Sequence, residues 1–114
     1  MSNQAKAVPA QEPFVAKLAR YFPEAVGVHL PVQVTGYTPG GETIHEQTLI
    51  EFGTPREALF ASGLPLEFGD LVRLENSDCS LAIDAAVVAV QYHNGKRAVA
   101  ARFARPLPTW IIKK

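Results

Sequence analysis

Residues Ala85–Phe103 read AAVVAVQYHNGKRAVAARF. Two apolar runs flank Asn94-Gly95. That dipeptide suits a type I′ turn, which needs positive φ at both central positions. The stretch therefore reads as a β-hairpin, a strand candidate over Ser80–Tyr92 joined to one over Arg97–Phe103. The first strand is apolar on both faces at its centre. Small alanines, Ala82, Ala85, Ala86 and Ala89, allow a neighbouring strand or helix to approach closely.

The same period of two recurs upstream. In VHLPVQVTGY, Val28, Leu30, Val32 and Val34 alternate with His29, Pro31, Gln33 and Thr35. Pro31 lacks an N–H and suits an edge position or the start of pairing. Thr38-Pro39-Gly40-Gly41 is a turn signal. Beyond it, TIHEQTLIEF alternates again, with an exposed first half and a buried second half. Phe52-Gly53-Thr54-Pro55-Arg56-Glu57 then turns the chain into a short strand at Ala58–Ala61. The segment LPLEFGD leads into Leu71–Glu75, and Asn76-Ser77-Asp78 turns into the hairpin. These runs make about six strands at roughly ten-residue intervals, which favours an all-β barrel or sandwich over βαβ units.

The chain has 114 residues, enough for one domain. Residues 1–12 are small and polar and read as a disordered leader; residues 13–114 form the domain. In PFVAKLARYF, Phe14, Leu18 and Tyr21 share one face of a short helix, with an extended arm as the competing reading. The apolar tail around Trp110 is expected to dock on the barrel.

Composition excludes several functions. Eleven basic residues balance eleven acidic ones, and the basic residues are scattered. Electrostatic binding to nucleic acid or to an anionic membrane needs a basic surplus or stripe. Tyr37, Tyr92 and Phe103 are aromatic candidates for stacking bases, but no aromatic motif is interleaved with lysine or arginine, and barrel core and barrel mouth is the favoured reading. No apolar run approaches the roughly 20 residues of a membrane helix. The N-terminus has no apolar signal-peptide core, and the single cysteine, Cys79, cannot form an internal disulfide. A cytoplasmic location follows as the expectation. Cys79 reads as a packed or inert thiol beside a strand start. His29, His45 and His93 lack metal-ligand spacing and read as surface residues. No activated nucleophile or phosphate-binding glycine loop is present. No catalytic residue and no metal site is therefore expected.

With the strands in order, the chain resembles a PilZ domain from about Arg20 to Phe103. The family is a small six-stranded antiparallel β-barrel that binds cyclic di-GMP in many bacteria. HLPVQVTG is similar to its first strand. QTLIEFGTPREALFAS is similar to its second strand, ligand turn and third strand. LPLEFGDLVRLEN and AAVVAVQYHNGKRAVAARF are similar to its later strands. The resemblance implies a ligand site of two parts, an RxxxR pair before the first strand and D/N-x-S-x-x-G in the turn. Here the arginine positions fall near Tyr21 and Ala25, with Arg20 one residue out of register. In the turn, Thr54 replaces the serine, Phe52 the Asp/Asn and Glu57 the glycine. Each lost charge-assisted hydrogen bond removes about 1.5–3 kcal/mol, so several of them remove decades of affinity.

The resulting expectation is a PilZ-like all-β barrel with a short N-terminal helix or arm, without catalysis and without a cofactor. It acts through a protein partner or self-association in bacterial signalling or motility, and it does not hold cyclic di-GMP by the family's usual mode. Its contact surfaces are the arm Pro13–Phe22, the turn Phe52–Glu57 and the tail around Trp110. One alternative is a cyclic di-GMP effector with an altered site using Arg20, Thr54 and Arg56. A second is a small barrel that binds nucleic acid.

Overall fold

The computed structural model describes residues 14–37, 40–78, 80–107 and Trp110. The reading of residues 1–12 as a leader and of Cys79 as a packed thiol lies outside them. One helix, α1 (Phe14–Ala19), precedes six strands: β1 (Val26–Tyr37), β2 (Thr43–Gly53), β3 (Glu57–Ser62), β4 (Leu71–Glu75), β5 (Ala82–His93) and β6 (Lys96–Phe103). They close into an antiparallel barrel in the order β1-β2-β3-β6-β5-β4, with β4 pairing back onto β1.

Alternation fills the barrel. Val32 and Val34 of β1, Ile50 of β2, Phe60 of β3, Leu74 of β4, Val87 of β5 and Val99 of β6 all point into one core. Each such side chain contributes roughly 1.5–3 kcal/mol on burial. Asn94 and Gly95 both have positive φ, 50° and 85°, as the β5–β6 turn requires. Pairing of β1 with β4 starts only at Gln33, so Pro31 faces β2 alone. Phe103, expected to be partly exposed, is a core residue at 5% exposure. Its parity on β6 turns it inward with Val99 and Ala101.

Three register shifts bend the strands, at Gly27/Leu30, Ile50/Phe52 and Val87/Ala89. Bulges of this kind increase local twist and help a small sheet close. At the first, His29 adopts a φ of 73°.

The outer face carries a second core. Val15 and Leu18 of α1 pack on Leu59, Ala98 and Ala100. The strands β3 and β6 are thus buried on both faces, and the alanines of β6 let the helix approach. A six-residue helix is too short to hold its shape alone, so this packing is what stabilises it. Tyr21, expected on the buried face, is 70% exposed. The helix ends at Ala19, and the tight bonds from Tyr21 N to Leu18 O and Phe22 N to Ala19 O swing Tyr21 outward. Phe22 takes the inner place instead.

Both mouths of the barrel are filled. At one, Leu66 of the β3–β4 connection is 2% exposed within the core. A Cβ on Gly36 would lie 3.2 Å from its Cδ2, so any side chain there would press on the plug. At the other, Leu107 and Trp110 of the tail pack on the core. The Trp110 ring meets Phe103 edge-on at 5.2 Å.

Candidate functional site

The β2–β3 turn lies under this second plug. Pro55 suits a tight turn because its φ is preset. Thr54 N donates to Glu57 O at 2.9 Å. The Thr54 hydroxyl accepts from Arg56 N at 2.9 Å and Glu57 N at 2.8 Å, and donates to the Glu57 carboxylate. A hydroxyl has one proton and two lone pairs, so its capacity is used in full. The remaining carbonyls are also taken. Trp110 Nε1 donates to Thr54 O at 2.7 Å. Leu107 N donates to Pro55 O, and Phe103 N to Arg56 O, each at 2.8 Å.

Glu57 is 6% exposed. It sits opposite Arg102 in the β3–β6 ladder, and Arg102 donates through Nε at 3.0 Å and Nη2 at 2.8 Å to one carboxylate oxygen. A carboxylate this deep needs such a counter-charge, because burying it unpaired is costly. Glu57, which stands in the glycine position of the resemblance, therefore does not aim a bare negative charge outward. Its charge is turned inward and compensated within the fold.

A groove of about 370 Å³ runs between this turn and the α1–β1 connection. Tyr21, Pro23 and Glu24 form one wall; Thr54, Arg56 and Arg102 form the other. Thr54 and Arg56 are thus brought together, whereas Arg20, which follows α1, is not among the lining residues. Arg56 is exposed and forms no ion pair among the described residues. Phe52, which stands in the ligand-acceptor position of the resemblance, packs with the helix cluster on the outer face. Arg102 was missing from the candidates. Its only signal is opposite charge to Glu57 across a strand pair that spacing does not reveal.

Two other hollows flank the barrel. One has a mixed lining, beside Pro31, Gln33, Gln47 and Asn76, where β4 stops short of β1. The other is apolar, beside Leu71, Ala86 and Val88 on the far side of Arg102. At the Leu66 end, Tyr92 donates to Glu67 at 2.5 Å, and Arg97 lies 4.9 Å over the Tyr92 ring. The Tyr92 hydroxyl, and then Arg97, hold the Glu67 carboxyl below its ordinary range. The three histidines are exposed. His45 shares a hydrogen bond with Thr35, and His93 stacks on Phe14 at 5.0 Å. Among the described residues no group of three metal-ligating side chains converges, and no helix is long and apolar enough to cross a membrane. No family model, curated protein or solved structure matches the chain.

Proposed function

We propose that this chain is a non-catalytic interaction module on a PilZ-like barrel, serving a protein partner or self-association in bacterial signalling or motility. The observation that carries the reading is the state of the β2–β3 turn. Its hydroxyl, its carbonyls and its neighbouring guanidinium are all bound within the fold. What the face offers outward is shape, the exposed ring of Tyr21 and the charge of Arg56. Such a surface suits a protein, with aromatic and arginine anchors around which a contact can form. The filled barrel mouths point the same way, since among the described residues Leu66 at one and Leu107 and Trp110 at the other pack on the core.

Titration calorimetry with cyclic di-GMP tests this reading. The expected result is no binding in the micromolar range. Micromolar binding weakened by Arg20→Ala or Arg56→Ala would replace it with the altered-site effector. Burial of Phe103 removes one of the three aromatics on which nucleic-acid stacking would depend.

A further inference from the structure

We propose that Glu57 is the specificity-determining residue of this face. Its carboxylate acts as an internal ligand that fills an oxyanion-binding donor set and bars an external oxyanion from it. The inference rests on the atoms of the turn and is independent of the partner proposed above.

Three donors converge on the carboxylate: the Thr54 hydroxyl on one oxygen, and Nε and Nη2 of Arg102 on the other. A hydroxyl and a planar guanidinium are the donors that recognise carboxylate and phosphate oxygens elsewhere in proteins. The side chain of Arg102 is half-exposed while that of Glu57 is 8% exposed, so solvent reaches the guanidinium but hardly the carboxylate. The groove reaches the same three residues, Thr54, Glu57 and Arg102. Both ends of the set are fixed. The two backbone N–H groups bound to Thr54 Oγ1 orient its hydroxyl, and the β3–β6 ladder places Arg102 directly across from position 57. Truncating residue 57 therefore leaves the turn's oriented hydroxyl beside a guanidinium whose positive charge is unbalanced.

The test is anion rescue of Glu57→Ala. Thermal unfolding is followed in sodium chloride, sodium acetate and sodium phosphate at equal ionic strength. In chloride the variant is expected to melt roughly 10 °C below the parent, as befits a broken buried pair. Acetate or phosphate should raise its midpoint saturably, by about 5 °C at tenfold excess over Kd. The parent and the double variant Glu57→Ala/Arg102→Leu should show no such shift. If Glu57→Ala is unfolded in chloride, recovery of its strand circular dichroism in acetate or phosphate is the same readout. Glu57→Gln should ignore acetate, because its side chain still occupies the place, and should be less stable than the parent, because its NH2 meets a donor where the carboxylate accepted. A Glu57→Ala variant that responds to neither anion overturns the proposal. So does a parent, or a Glu57→Gln variant, that responds as strongly as Glu57→Ala.

Discussion

The two mouths of the barrel are built from similar parts and differ in which carboxylate receives the arginine. Each has an apolar plug, a carboxylate, and a hydroxyl that also accepts a backbone N–H from the turn. At one mouth these are Trp110, Glu57 and Thr54. At the other they are Leu66, Glu46 and Ser62. There Ser62 Oγ donates to Glu46 at 2.6 Å and accepts from Leu64 N at 3.0 Å, while Gly63 N donates to Glu46 at 2.9 Å. Arg102 pairs with Glu57, which is buried. At the other mouth Arg97 reaches Leu64 O and Glu67, and Glu46, with no cation on it among the described residues, is partly exposed. A buried carboxylate needs its counter-charge, while a hydroxyl and N–H groups alone hold one that solvent still reaches.

The largest effect should come from the apolar plugs. Leu66→Ala empties a fully enclosed position and should cost about 3 kcal/mol in chemical denaturation. Gly36→Ala, which crowds Leu66, should be destabilising in the parent and harmless beside Leu66→Ala. A cost below about 1 kcal/mol for Leu66→Ala would mean that this mouth is not held by its plug.

The polar knots should come next, and unequally. Arg102→Ala leaves Glu57 buried without its cation and should cost about 2–3 kcal/mol, allowing for the half-exposed guanidinium. Ser62→Ala should cost about 1 kcal/mol, because Glu46 retains Gly63 N and solvent. Double-mutant cycles sharpen the contrast. Coupling between Glu57 and Arg102 should exceed that between Glu46 and Ser62; equal couplings would break the comparison.

Much of the barrel was legible because its signals are local. The alternation in VHLPVQV and the Asn94-Gly95 turn each need only a few adjacent residues. What escaped is long-range. Arg102 reaches Glu57 across 45 positions, and no spacing rule pairs β3 with β6. The bulge at Gly27/Leu30 depends on register with β2, so Leu30 is only half-buried although it alternates with Val28 and Val32. The helix face was misjudged at Tyr21 because the helix stops at Ala19, and the tight bonds that follow turn Tyr21 outward. The turn's location was readable; the direction in which Glu57 spends its charge was not.

The smallest effect separates the mouths by pH. The cluster outside the Leu66 mouth joins Glu67, Tyr92 and Arg97 at the surface. The Tyr92 hydroxyl, and then Arg97, lower the Glu67 carboxyl from 4.5, while the hydrogen bond to Glu67 raises the Tyr92 phenol from 10.0. A lowered carboxyl contributes stability above 4.5 that is lost as pH falls through the folded value. A raised phenol contributes stability below 10.0 that is lost as pH rises through its folded value. The contribution is therefore a plateau with two edges. Tyr92→Phe removes the shared hydrogen bond, so the unfolding midpoints of parent and variant should differ slightly on the plateau and converge beyond both edges. Exposure keeps the difference small, and salt should shrink the Arg97 share further. A difference that stays constant through the acid edge would show that Tyr92 acts there through packing under Arg97 rather than through its hydroxyl.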